Sequence, residues 1–192
     1  MEPKEENMEW IDLTHPIKTD MPVIPGDTPP SITESLTIER DGCSVQEIRC
    51  ANHVGTHVDA PLHFLPRGRS VDQIPLSRLA GTAAVLDFSG LEPGARISWR
   101  SLGTALAEAG HPAKVLLYTG WDRHFGSPEY FQAFPAISPE AAQGLVEAEI
   151  ELLGVDTPSP SPLDDPGQGI HKVLLGAEVV IVENLCGLER LG

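Results

Sequence analysis

Glycine and proline punctuate this chain so densely, 18 of each in 192 residues, that it must be built from short elements joined by many turns and ordered loops. A mixed α/β fold is expected rather than a helix bundle. Two runs rich in β-branched residues, 32–40 and 43–50, flank Asp41-Gly42, a dipeptide that supplies the positive φ angles of a tight hairpin turn. Four short apolar runs, 81–88, 114–118, 151–155 and 179–182, are bounded by Gly, Pro or polar residues and predict buried strands. Between them lie helix starts. Ser98 precedes a helix over 99–109 that ends at Gly110, and Ser138-Pro139 opens another over 140–148. Serine caps the free amides of the first turn, and proline fits the first helical position. Ser127-Pro128-Glu129 repeats the pattern before a shorter helix around Tyr130 and Phe131. Segment 157–169, TPSPSPLDDPGQG, joins a predicted strand to only 23 further residues, so it is expected to be a loop over the same domain. One domain is therefore expected over 1–192.

With 41% apolar residues the chain can bury a core, and its formal net charge of -15 repels phosphate backbones and anionic lipid. Neither nucleic acid nor a membrane surface is an expected partner. No apolar stretch approaches the roughly 20 residues needed to cross a bilayer, and the opening MEPKEENMEW lacks a signal-peptide pattern, which predicts a cytoplasmic protein. Cys43, Cys50 and Cys186 show no CxxC spacing and are expected to be buried small hydrophobes in a reducing compartment.

The chemistry concentrates in ANHVGTHVDAPLHF, where His53, His57 and His63 fall within eleven residues and Asp59 stands between the second and third. So dense a set of imidazole and carboxylate groups is hard to bury without partners, and a divalent cation is the economical partner. His57 and Asp59, two apart, project to one side of an extended chain, while Gly55 and Pro61 oppose a helix. His53 joins them only if the backbone turns near Gly55. The alternative is a set of hydrogen-bonded loop residues without a metal. Asp59 could bridge two cations through its two oxygens. No thiolate belongs to the set, which admits zinc, manganese or another divalent ion.

HVGTHVDAPLHF resembles the HxGTHxDxPxHF signature of the cyclase family of metal-dependent hydrolases, which includes bacterial kynurenine formamidase, isatin hydrolase and polyketide-cyclase-like proteins. The resemblance extends over DLTHPIKTDMPVIPGDTP, GVDTPSPSP, and IHKVLL followed by IVENL. It implies metal ligation by His53, His57, Asp59, His171 and Glu183, with Zn2+ first and Mn2+ second, one or two ions. It also implies an acid/base role for His63; the alternative there is a residue that orients a ligand. The implied fold is a swivelling β/β/α architecture, mixed sheets with flanking helices, assembled as a homodimer or homotetramer. The implied activity is hydrolysis of an amide C–N bond in a small-molecule substrate by metal-activated water. The first expectation is an aryl formamide such as N-formylkynurenine, with a place in tryptophan catabolism. A small cyclic amide is the alternative, and a polyketide-type cyclase or a non-catalytic metal-binding protein are the competitors. Asp27, in PGD, and Asp156-Thr157 match family segments and are candidate pocket residues, or else turn-forming side chains. Formamidase-like sequences carry an aromatic residue before PGD, where this chain has Ile24-Pro25. Ile24 is therefore a candidate substrate contact. Trp121, Phe125, Tyr130 and Phe131 could hold a planar ring or simply pack. His15, His111 and His124 are expected to be surface or packing residues.

Overall fold

The computed structural model describes residues 9–165 and 167–191. The expectation for the opening segment falls mostly on residues outside these. In chain order the elements are β1 (Ser31–Leu36), α1 (Ile38–Asp41), β2 (Val45–Arg49), β3 (His57–Asp59), α2 (Leu76–Leu79), β4 (Ala84–Asp87), β5 (Arg96–Ile97) and α3 (Trp99–Glu108). They continue with β6 (Lys114–Tyr118), β7 (Ala136–Ile137), α4 (Pro139–Glu147), β8 (Leu152–Val155), α5 (Gly169–Gly176) and β9 (Val180–Glu183).

The central sheet has the order β3-β9-β8-β6-β4, with β4, β6, β8 and β9 parallel and β3 antiparallel at the edge. Each parallel step is made by a helical crossover, α3, α4 and then α5, and parallel strands cannot be joined by a tight turn. The Ser98 and Ser138 hydroxyls accept the backbone N–H of Ser101 and Ala141, as the sequence predicts. Alternation along the strands sends Leu153, Val155 and Ile181 into the helices, against Leu102, Leu106, Leu145 and Leu174. Leu152, Val180 and Val182 face the other way, onto Ala60 and Ile74. No described helix is long and apolar enough to cross a membrane.

Two expectations need correction. β1 and β2 do pair as an antiparallel hairpin, but the two-residue Asp41-Gly42 turn is replaced by the helical turn α1. Thr37 accepts the Arg40 N–H through its hydroxyl, Asp41 accepts the Thr37 N–H, and Gly42 closes the turn at φ 76°. Those two side-chain bonds satisfy the backbone locally and outcompete the tighter turn. Cys43 and Cys50 are exposed and Cys186 is half-buried, not core residues. The first two flank β2, all five residues of which are exposed, since no other described strand pairs with this hairpin. Helix α5 carried no start signal of its own: its N-cap is Gln168, in the left-handed region at φ 57° and without a side-chain cap.

Candidate metal centre

The register of the edge pair builds half of the site. β3 runs antiparallel to β9 with His57 opposite Glu183 and Asp59 opposite Ile181. Residues two apart in a strand share a face, so His57, Asp59 and Glu183 project to the side on which Ile181 meets the helices. His171 lies in the first turn of α5, packed over β9. His53 precedes β3 and reaches the same point because the chain turns through Gly55 at φ 59°. All five residues are at least half-buried, and Asp59, His171 and Glu183 are fully buried.

Their atoms form two triads that share Asp59. In the first, His53 Nδ1 lies 2.9 Å from His57 Nε2 and 3.0 Å from Asp59 Oδ1, and His57 Nε2 lies 3.3 Å from Asp59 Oδ1. In the second, His171 Nε2 lies 3.2 Å from Glu183 Oε1 and 3.7 Å from Asp59 Oδ2. Glu183 Oε2 turns back to His57 Nε2 at 3.4 Å, so each carboxylate offers one oxygen to each triad. The hydrogen bonds behind the rings set which nitrogen carries a lone pair inward. A carbonyl only accepts, so His57 Nδ1–H donates to Gly55 O at 2.8 Å and Nε2 is free for the cluster. His171 Nδ1 meets Ser161 Oγ at 2.8 Å, which lets Nδ1–H donate there and frees its Nε2 in the same way.

The donor set fits a divalent cation. Both oxygens of Asp59 are buried without a hydrogen-bond partner among the described residues, a costly state that a cation between converging lone pairs relieves. Bonds of about 2.0–2.2 Å to nitrogen and oxygen span triangles of these edges. The charges point the same way. Burial raises the Asp59 carboxyl, but contacts and charges from His53 and His57 overcome it and hold it well below the usual carboxylate range. Burial, then the Asp59 charge, pushes Glu183 well above that range. The His57 ring, although burial pulls it down, is held up by Asp59, Glu183 and the Gly55 carbonyl. His171 is pulled down by burial.

The model of the Cyclase family, described as "Putative cyclase", matches residues 11–162. This chain belongs to the Cyclase family. It is 34% identical over 181 residues to "Kynurenine formamidase" of Bacillus thuringiensis (strain Al Hakam), covering 92% of this chain and 82% of that protein. Isatin hydrolase A from Labrenzia aggregata, solved with benzyl benzoate bound, superposes with a TM-score of 0.83 at 26% identity, over 94% of this chain and 81% of that one. A structure described as a "Potential Metal-Dependent Hydrolase With Cyclase Activity" gives a TM-score of 0.70 at 26% identity, over 91% of this chain and 80% of that one. The mixed sheet with flanking helices is thus the fold of these hydrolases.

In this Cyclase-family chain a cavity of about 330 Å³ opens on His53, His171 and Glu183. Ile24, Asp27 and His63 stand in its wall. His63 is stacked on His53, ring centroids 3.7 Å apart, and its pKa is lowered by burial. Thr157 is not among the wall residues; it is buried, and its hydroxyl donates to Ser159 O at 2.8 Å. Its neighbour Asp156 accepts from Thr119 and Gly120 and is likewise away from the cavity. Tyr130 and Trp121 pack with Phe134, and Phe125 and Phe131 lie against them; Phe131 and Phe134 also line the cavity. His15 stacks on Phe125 and His124 leans on Trp121, as packing residues do. Ser161 was not singled out in the sequence. Its only signal is its place in GVDTPSPSP, ten residues before His171.

Proposed function

We propose that this protein hydrolyses the C–N bond of an aryl formamide, with N-formylkynurenine as the first candidate, using a divalent cation held by His53, His57, Asp59, His171 and Glu183. The observation that carries this is the pair of His/carboxylate triads sharing an Asp59 whose oxygens lack hydrogen-bond partners among the described residues, with His53, His171 and Glu183 lining a cavity that has a further histidine in its wall. Zinc suits the mixed nitrogen and oxygen set and manganese is the second choice; two triads accommodate one ion or two. When bound, the cation polarises the substrate carbonyl and lowers the pKa of water.

The residues of the chain supply the rest. His63 is kept neutral near pH 7, since burial outweighs the pull of Asp59, so it can take a proton and return it to the leaving nitrogen. Phe64, Phe131 and Phe134 give the cavity apolar walls for a flat ring, and Ile24 and Asp27, in the same wall, would meet the substrate. The relatives' activities, formamide and isatin hydrolysis, share C–N cleavage beside a carbonyl. We assign the protein to a homodimer or homotetramer on the strength of the β1–β2 hairpin. A two-stranded hairpin is marginal alone, and this one exposes Ile38, Val45 and Ile48.

The test is hydrolysis of N-formylkynurenine followed by ultraviolet absorbance, with zinc or manganese added and a chelator as control. Chelator-sensitive turnover is expected. Turnover of isatin alone would move the substrate to cyclic amides, in keeping with Ile24-Pro25 in the cavity wall. Turnover of neither by metal-loaded protein would refute the proposed activity.

A further inference from the structure

Glu183 ends β9, and the residue after it is held more firmly than a strand end requires. Asn184 is buried and lies in the left-handed region at φ 57°, a conformation Asn tolerates better than most residues. Its backbone N–H donates to Thr157 O at 3.1 Å, and its carbonyl accepts the Thr56 hydroxyl. Its side-chain Oδ1 accepts the hydroxyl of Tyr130 at 2.8 Å. Thr56 directly precedes His57, and its hydroxyl also accepts the His15 N–H at 2.9 Å. The hydroxyl clasp therefore continues the β3–β9 ladder beyond the pair His57–Glu183, where strand pairing stops. Tyr130 is the outer anchor. It is fully buried, and its carbonyl is fixed by the Trp121 indole N–H at 2.9 Å. Its neighbour in the same 3-10 turn, Phe131, walls the cavity.

We propose that Tyr130, acting through Asn184, is a positioning residue for Glu183. Its hydroxyl fixes the Asn184 side chain, the left-handed backbone of Asn184 sets the exit from β9, and that exit aims the Glu183 carboxylate between His57 and His171. The turn 128–131 thereby ties the cavity wall to the metal centre. This inference rests on the metal-centre reading above.

The test measures zinc affinity by competition with a chromophoric chelator, in the full-length protein and in Tyr130→Phe, Asn184→Gly and the double variant. Glycine accepts the left-handed backbone and keeps both main-chain bonds, so Asn184→Gly removes only the side-chain anchor. Each single variant is expected to bind zinc about tenfold more weakly, the lower end of losses from groups that orient ligands. The double variant is expected to be no weaker than the weaker single, because the two groups act through one bond. The melting temperature of metal-free protein is read alongside. A purely structural role would lower it and leave zinc affinity unchanged, and that result overturns the proposal. If Tyr130→Phe does not fold, Asn184→Gly alone decides by the same criterion. Absence of both zinc and manganese binding in the parent protein would overturn the metal-centre reading and this inference together, whereas parent-like binding in both variants overturns this inference alone.

Discussion

Ser161→Ala isolates one hydrogen bond behind the metal centre. Ser161 and His171 are both nearly inaccessible to solvent, and their 2.8 Å contact gives the Nδ1–H of His171 an acceptor. The imidazole has one proton to place. With Ser161 present, Nδ1 can hold it and donate to the hydroxyl, which leaves Nε2 to point a lone pair between Asp59 and Glu183. Without Ser161, the proton is better placed on Nε2, where Glu183 Oε1 waits at 3.2 Å to accept it. Ligation must then either move the proton back to an Nδ1 that lacks an acceptor or proceed without His171. A buried donor left unpaired costs about 1–3 kcal/mol. Loss of an orienting partner behind a metal-bound histidine typically weakens the metal 10–100-fold, or about 1.4–2.8 kcal/mol. The two ranges agree. Zinc affinity of Ser161→Ala, measured by chelator competition at pH 7, should therefore fall by one to two decades. Nitrogen-15 chemical shifts of the metal-free ring should report the move of the proton to Nε2. Parent-like affinity in a variant that melts at the parent temperature would refute the tautomer argument.

Three other perturbations have defined outcomes. His63→Ala should keep its zinc content and lose about 10²–10⁴-fold in kcat on the formamide, the range for an acid/base group, and full activity would remove His63 from the reaction. Gly68→Ala should lower kcat with little change in zinc content. A Cβ there would come within 2.6 Å of Pro61 O and 2.7 Å of Leu62 N, and would displace the turn that carries His63; a variant with parent kinetics would show that the turn gives way elsewhere. Asp156 predicts a pH effect on stability. Burial, against the pull of its Thr119 and Gly120 bonds, raises its pKa from 3.8 to about 6, so in that window the folded state holds a proton the unfolded chain has released. Stability from this group is then greatest at acid pH and falls as pH rises to about 6, by at most about 3 kcal/mol. The difference in urea midpoint between the parent and Asp156→Asn should change over that window, and a constant difference from pH 4 to 7 would contradict it.

Much of the architecture was legible because its signals are local. Ser98 and Ser138-Pro139 start α3 and α4 by capping amides three residues away, and four apolar runs became β4, β6, β8 and β9. The hairpin was visible, but its turn depended on whether the Thr37 hydroxyl would accept the Arg40 N–H and the Asp41 carboxylate the Thr37 N–H, a competition that Asp41-Gly42 alone does not reveal. The cysteines were misjudged for a related reason. Their apolar character is intrinsic, whereas their burial depends on what covers β2, and no other described strand pairs with that hairpin.

The metal centre divides along the same line. By itself the sequence determined which residue types could hold a cation and that His57 and Asp59 would share a face, because a strand's two-residue period requires no distant partner. The resemblance of HVGTHVDAPLHF to the Cyclase-family signature brought in His171 and Glu183, which lie more than 100 residues further along the chain. Only the tertiary structure decided how these groups meet. The register of β3 on β9 sets His57 opposite Glu183, the packing of α5 brings in His171, the Gly55 carbonyl turns the Nε2 of His57 inward, and the Ser161 hydroxyl meets the Nδ1 of His171 so that its Nε2 faces the cluster. Ligation depends on the direction of lone pairs to within a fraction of an ångström, and that direction is set by hydrogen bonds and strand pairing between segments whose separation along the chain says nothing about their distance in space.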